Sequence, residues 1–194
     1  MPASLTWRGR REPMRRKPRL LCRFRRAESG ALAVEFGLIA PFFFGLLFGI
    51  LEIALTFWST QVLETAVANA ARQVYTGSFQ DSARTLDPAQ ALAQFKTRVC
   101  SNVGALFNCN ALVHVDVRRL DHFSSASTEL SPPVTDGAFD PSKFRYDPPR
   151  RNEICVVRAA MEYPVYVNLF GYATGLRNGN RLIMASSAFK TEPF

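Results

Sequence analysis

The stretch SGALAVEFGLIAPFFFGLLFGILEIAL, residues 29–55, decides the fold of this chain. It carries no charge from residue 36 to residue 51, and its apolar character extends over residues 31–58 when Glu35 and Glu52 are admitted. At about 1.5 Å of rise per residue, a helix of this length can cross a bilayer core of about 30 Å. The run exceeds the ~7 to 15 apolar residues of a cleavable secretory signal, so we predict a retained transmembrane helix.

Charge predicts the direction in which this helix is inserted. Before residue 31 the chain has ten Arg or Lys and two Glu, and ten minus two gives +8, the net charge of all 194 residues. The rest of the chain is formally neutral, so the high pI does not indicate a nucleic-acid-binding surface. Basic residues beside the first membrane segment hold their side in the cytoplasm. We therefore expect a cytoplasmic leader (1–30), a transmembrane helix (31–59) and an exported domain (60–194). A disordered nucleic-acid arm and a surface for anionic lipid are the alternatives for the leader.

Glu35 has two interpretations. A carboxylate within an apolar helix is costly to insert, by about 2 to 3 kcal/mol, and usually marks a partner or a pathway. In the simpler interpretation, Glu35 only reaches the nearby cytoplasmic interface. In the other, cleavage after Gly30 creates a new ammonium at Ala31, and Glu35 becomes the fifth residue of the mature chain. Its carboxylate can then neutralise the free N-terminus of a neighbouring subunit, because paired charges are tolerated in an apolar environment.

Basic residues, Gly30, a small residue, Glu35 and a long apolar helix together resemble the processing site of type IV prepilins. More narrowly, residues 30–55 followed by QVLETAVANAAR resemble the TadE-like pseudopilins of the tight-adherence pilus system. FKTRVC, LFNC, LVHVDV and the final NRLIMASSAFKTEPF are also similar to that family. A 30-residue leader is longer than most prepilins carry, although Met14 is an alternative start.

This resemblance implies a minor pilin or pseudopilin that a prepilin peptidase cuts between Gly30 and Ala31. It implies the major pilin, other pseudopilins and the inner membrane as partners, and no cofactor. The implied location is a single pass through the inner membrane with the domain of residues 60–194 outside, in the periplasm or in the pilus. The implied fold is pilin-like.

A stripe of small and polar residues runs along the apolar helix. At 100° per residue it comprises Gly45, Gly49, Glu52, Thr56 and Leu63, with Pro41 close by. The two glycines permit close approach of another helix, and Glu52 and Thr56 can form hydrogen bonds across such a contact. Glycine is also common in membrane helices without a packing role, so both interpretations stay open.

Pro41 lacks an N–H group and frees the carbonyl of Gly37. This predicts a kink or local melting of the helix at that point.

Beyond the bilayer the pattern predicts an α+β fold. The first helix continues with apolar residues at a helical period from Leu63 to Val74, and Gly77 ends it. A second helix begins at the capping box Asp87-Pro88-Ala89-Gln90 and presents an apolar face. That face consists of Leu92, Phe95, Val99, Val103 and Leu106.

A small antiparallel sheet follows the second helix. Val113, Val115 and Val117 alternate with polar residues, which predicts a half-buried strand with His114 facing solvent. Further strands are expected over residues 154–163 and 181–189, the last after a turn at Asn178-Gly179. Residues 121–152 are rich in Ser, Pro, Asp and Arg and predict a long irregular loop.

The cysteines fit an oxidising compartment. We expect Cys100 and Cys109 to be bonded, because export permits disulfides and a small domain gains about 2 to 3 kcal/mol from such a link. Two buried thiols are the alternative. Cys22 is expected in the cytoplasm and reduced, and Cys155 is left as an unpaired strand residue on the face of Val157, unless it pairs with another subunit.

Nothing in the sequence predicts an enzyme. His114 and His122 are the only histidines, and neither lies in a hydrolase or metalloprotease motif. The gap between Cys100 and Cys109 does not suit common structural zinc sites. Two classes of function remain: a structural pseudopilin, and a signal-anchored exported binding protein unrelated to pili that uses residues 121–152 for recognition. Gly30 and Glu35 favour the first, since a plain anchor needs neither.

Overall fold

The computed structural model describes residues 28–101, 103, 107–168 and 175–193. The expectations for the leader, for Met14 and Cys22, and for Leu106 lie outside these residues. The described chain divides into two compact units, with the division between residues 44 and 45. The described part of the first unit is entirely helical.

The described elements form an α+β fold, as predicted. The helices are α1 (Glu28–Tyr75), α2 (Ser78–Ala83), α3 (Pro88–Ser101), α4 (Cys109–Leu112) and α5 (Ala126–Glu129). The strands are β1 (Val113–Leu120), β2 (Val134–Thr135), β3 (Ala138–Phe139), β4 (Ile154–Tyr163) and β5 (Arg181–Lys190), and two short 3-10 helices cover Phe123–Ser125 and Pro141–Lys143.

The second half of α1 buries one face. Its buried residues follow a helical period and include the predicted apolar positions; they are Glu52, Thr56, Ser59, Leu63, Ala66, Val67, Ala70, Ala71 and Val74. The helix ends at Tyr75, and Gly77 adopts a φ of 80°, which glycine tolerates without the steric cost of a side chain. The predicted stop is confirmed. The chain then re-enters a helix at once, and the sequence analysis missed this short α2.

Helix α3 begins as the capping box predicts. The backbone N–H of Gln90 donates to Oδ1 of Asp87 at 2.8 Å, and Oε1 of Gln90 accepts from the backbone N–H of Asp87 at 3.4 Å. Phe95 and Val99 are fully buried, and the Phe95 ring packs edge-on against Phe79 of α2 at 5.2 Å. The apolar face of this helix is therefore part of the core.

The three long strands form an antiparallel sheet in the order β1-β4-β5. One face of it, with Val113, Val115 and Val117 of β1, joins the helices in a single apolar cluster. Cys155 lies on this same face with Val157, as predicted, and is fully buried.

The other face of β1 is also covered, which corrects the prediction of a half-buried strand. Asp116 is fully buried and Arg118 nearly so, because residues 121–152 fold back over this face. His114 does not face solvent freely: its ring lies 5.3 Å from that of Phe139, and burial lowers the pKa of the imidazole, helped by Lys96 and opposed by Glu162. The loop contains a β2–β3 hairpin and short helices in addition to its irregular parts.

Asp116 fastens this loop to the sheet. Its carboxylate accepts hydrogen bonds from Nε of Arg118 at 2.8 Å, from Nε of Arg158 at 3.0 Å and from the backbone N–H of Arg145 at 2.9 Å. The two guanidinium groups in turn donate to loop carbonyls, Arg118 to Lys143 and Arg158 to Ser131. The buried Asp116 carboxylate thus pairs with two buried guanidinium groups, and these guanidinium groups hold the loop of residues 121–152 against the sheet.

Cys100 and Cys109 form a disulfide with 5.5 Å between their Cα atoms, the pair expected from the predicted export. It links the last turn of α3 to α4, directly before β1. Burial raises the pKa of the unpaired Cys155 thiol to about 12, with smaller contributions from Asp147 and Asp116.

We expect peptide mapping of protein from its native host, without reduction, to recover Cys100 and Cys109 in one linked pair. Cys155 should be alkylated only after denaturation, because the thiol is buried and its raised pKa leaves little thiolate at pH 8. Alkylation of Cys100 without prior reduction would contradict the disulfide.

Asp116→Asn should lower the free energy of unfolding by about 3–5 kcal/mol, because it leaves two buried guanidinium groups without a countercharge. Limited proteolysis should show faster cutting within residues 121–152, and the Cys155 thiol should label faster. Asp81→Asn is the matched control: its carboxylate is exposed and 4.0 Å from Arg84, so the variant should change stability by less than about 1 kcal/mol. Equal proteolysis rates for the two variants would show that Asp116 does not hold the loop.

Candidate functional site: the apolar helix and its junction with the sheet

The apolar part of α1 is exposed over most of its surface, and only Ala40, Gly45 and Gly49 are half-buried there. Its large apolar side chains from Leu32 to Leu51 keep between 38% and 80% of their surface accessible. Helices buried in a soluble core do not expose such a surface, and a continuous apolar patch of this size needs an apolar environment. The described residues contain one helix that is long and apolar enough to cross a membrane. The helix is compatible with a single-pass membrane anchor.

The predicted processing site lies on an open stretch of this helix. Gly30 is helical, and a side chain added there would meet no other atom within 4 Å. Ala31 and Glu35 are both exposed and lie one helical turn apart, so they share a face. Cleavage at Gly30 and pairing by Glu35 stay predictions.

The residues predicted for helix packing fall into two groups. The first group consists of Gly45 and Gly49, which are both half-buried. A side chain added at Gly49 would nevertheless have free space around it. No contact within the described residues requires the small size of Gly49. Helix α1 also continues through Pro41 without interruption, so the predicted local melting is not observed.

The second group, Glu52 and Thr56, lies in a buried junction within the chain itself. We define the junction by Glu52, Thr56 and Ser59 of α1 and by Tyr163 at the end of β4, each at most 9% exposed. The hydroxyl of Thr56 donates to the backbone carbonyl of Glu52 at 2.9 Å. Within the described part of the chain, Oε1 of Glu52 is buried and has no hydrogen-bond partner.

Tyr163 connects the sheet to this helix. It is buried, as are Ser59 and Glu52 of α1, and the electrostatic influence of Glu52 and Ser59 reaches its phenol. Burial raises the pKa of the phenol, and the negative charge of Glu52 adds to this, while the Ser59 side chain opposes it. The sequence analysis missed this junction. Polar residues at positions 52, 56 and 59 within an apolar helix were the signal, but the partner strand lies about a hundred residues away in the sequence.

The rest of the described surface has few groups placed for catalysis or for metal binding. A cleft of about 530 Å³ at one end of the sheet is lined by charged side chains of both signs, including Arg119, Asp121, Glu153 and Lys190. Arg119 and Glu153 already approach each other to 3.7 Å. Among the residues that the structure describes, no group of three or more His, Cys, Asp or Glu side chains is placed to hold a metal ion.

Comparison with known families adds one finding. The model of the TadE-like protein family matches residues 30–72, which begin at the predicted processing glycine and end within the last turn of α1. Neither a search of curated proteins nor a search of solved structures returns a match. The matched segment contains the exposed apolar part of α1, the α1 side of the junction and most of the face that α1 buries in the core. The resemblance is therefore confirmed for residues 30–72, over which the chain is TadE-like, and it stays a prediction for the later motifs.

Proposed function

We propose that this chain is a minor pilin or pseudopilin of a tight-adherence pilus system, with a structural role in pilus assembly and no catalytic one. The TadE-like segment is the observation that carries this proposal, since it supports association with that system. In this role the chain is inserted in the inner membrane with residues 1–30 in the cytoplasm and residues 60–194 outside. A prepilin peptidase then cuts between Gly30 and Ala31.

The character of α1 supports a role in lateral assembly. A helix whose apolar surface is mostly exposed suits both lipid and the packed helices of a filament, because either environment removes that surface from water. Gly49, where an added side chain would have free space, suits close approach of a neighbouring helix, and Gly45 lies one turn before it. The major pilin and other pseudopilins are the proposed neighbours.

Glu35 has a specific task in this proposal. After cleavage, the ammonium at Ala31 and the exposed Glu35 carboxylate lie on one face of the helix. Two subunits shifted along their helix axes can then pair the ammonium of one with the carboxylate of the other. Both charges would be too costly in an apolar environment if they stayed unpaired.

Processing is the first test. The intact mass of protein recovered from membranes of the native host should correspond to a chain that begins at Ala31. Gly30→Leu should leave an uncut, membrane-held precursor, because a bulky residue crowds the peptidase site. Gly37→Leu is the matched control, since Gly37 is equally open in α1, and it should be processed normally. A mature chain beginning near Ala71, after the run Ala68-Asn69-Ala70, would indicate signal-peptidase cleavage and would refute the pseudopilin proposal.

Glu35→Gln tests the pairing. Removing a charge eases insertion of the helix, so this variant should reach the membrane and be processed normally. It should nevertheless lower the number of pili or the surface adherence of a host that depends on this gene. Glu64→Gln removes an exposed carboxylate farther along the same helix and should have no effect. If Glu35→Gln cells were normally piliated, Glu35 would only be reaching the membrane interface, and the anchored binding protein would become the better interpretation.

A further inference from the structure

The junction fixes one end of the sheet at a defined height on α1. Tyr163, the last residue of β4, lies in the same buried cluster as Leu63 of α1, and Glu52 and Ser59 act electrostatically on its phenol. Tyr163, Glu52 and Ser59 are all buried. The chain that leaves β4 at Pro164 therefore starts alongside the part of α1 between Glu52 and Ser59.

This part of α1 lies at the outer boundary of the proposed bilayer. About 20 helical residues cross the hydrocarbon core, so a span that enters the core at Phe36 leaves it near Leu55. At this level, apolar side chains remain exposed on the side of the helix that faces away from the junction: Ile53 is 69%, Phe57 66% and Trp58 55% accessible. Trp is typical of the headgroup region, where its ring meets the lipid and its N–H group meets water.

Glu52 lies one turn below this boundary and is 92% buried by protein, since 8% of its surface is accessible. The protein that covers it, including Tyr163, must therefore reach down to the same level. A buried carboxylate with Oε1 unpartnered among the described residues is poorly placed to face hydrocarbon directly, and this cover keeps lipid away from it.

Tyr166 lies three residues after Tyr163 and is 74% exposed, although it still contributes to raising the pKa of the Tyr163 phenol. The described residues from Tyr163 to Asn168 carry no charge. An exposed tyrosine on an uncharged segment beside a membrane helix has the amphipathic character of interfacial aromatic residues.

We propose that residues 164–168, which follow β4, rest in the outer headgroup region of the same bilayer, with Tyr166 and Trp58 as the aromatic contacts. The sheet is then seated on the membrane surface and is not held above it on a free helical stalk. This proposal rests on the membrane-spanning role proposed for α1. It goes further because it assigns lipid contact to a part of the chain that lies outside the spanning helix.

Fluorescence quenching in lipid vesicles tests the proposal with the full-length chain. The native residues Trp7 and Trp58 are replaced by Phe, and one Trp is introduced at Tyr166, at Phe43 of the spanning helix or at Phe123 of the loop. Phe43 and Phe123 are matched positions, since both are exposed aromatic residues at 57% and 55%. The probes are phosphatidylcholines brominated either near the carbonyl group or deep in the acyl chain.

Tyr166→Trp should be quenched most by the lipid brominated near the carbonyl group, and its emission should lie at shorter wavelength than that of Phe123→Trp. Phe43→Trp should be quenched most by the deeply brominated lipid, and Phe123→Trp by neither. If Phe43→Trp is quenched while Tyr166→Trp behaves like Phe123→Trp, the span stands and the seat on the membrane is refuted, leaving Tyr166 as a surface for a protein partner. If Phe43→Trp is not quenched either, the membrane-spanning role itself fails.

Discussion

The packing of one face of α1, from Glu52 to Val74, against the sheet and the shorter helices is the interaction on which the rest of this structure depends. It places apolar residues such as Leu63, Val67 and Val74 in the same core as the β-strands. Burial of apolar surface is the main favourable contribution to such a core. Because the same helix continues towards the N-terminus with an exposed apolar surface, one element serves two environments. Its change of character occurs near Glu52, where the polar face of the junction begins.

The opposite side of the sheet depends on a different kind of interaction. Asp116 lies between two arginines, and removing one member of such a buried network leaves charge uncompensated. The network orders residues 121–152 over the sheet, so a segment rich in proline and serine becomes a fixed layer. The Arg158 guanidinium also lies 5.4 Å from the centre of the Phe144 ring, which adds a cation–π contact to the same layer. The part of the chain that contains the sheet therefore has an apolar core on one side of the sheet and a charged core on the other.

Local sequence patterns predicted where helices and strands begin and end. Burial of single residues depends on tertiary contacts, which these patterns do not contain. The capping box at Asp87 and Gln90 and the stop at Gly77 act within one helical turn, so the sequence displays them directly. The alternation in β1 could not reveal that Asp116 is buried, because its partner Arg158 is 42 residues away and the covering loop has no strong pattern. For the same reason the sequence placed Glu52 and Thr56 on a stripe for other helices, whereas the structure buries them in the junction. Gly30 and Glu35 were found because the family resemblance depends on short local motifs. The function proposed for them involves a peptidase and other subunits, which one chain does not contain.

The division of α1 between lipid and protein can be measured directly by labelling of single cysteines. Cysteines are introduced one at a time on exposed positions of α1, in a background with Cys22→Ser and Cys155→Ser, at Phe43, Leu47 and Leu51 and at Gln61, Glu64 and Ala68. A membrane-impermeant maleimide added from the outside of the inner membrane should label the last three and leave the first three unlabelled until the protein is denatured. Labelling at Phe43, Leu47 and Leu51 in intact membranes, or labelling of Gln61, Glu64 and Ala68 from the cytoplasmic side alone, would contradict the account.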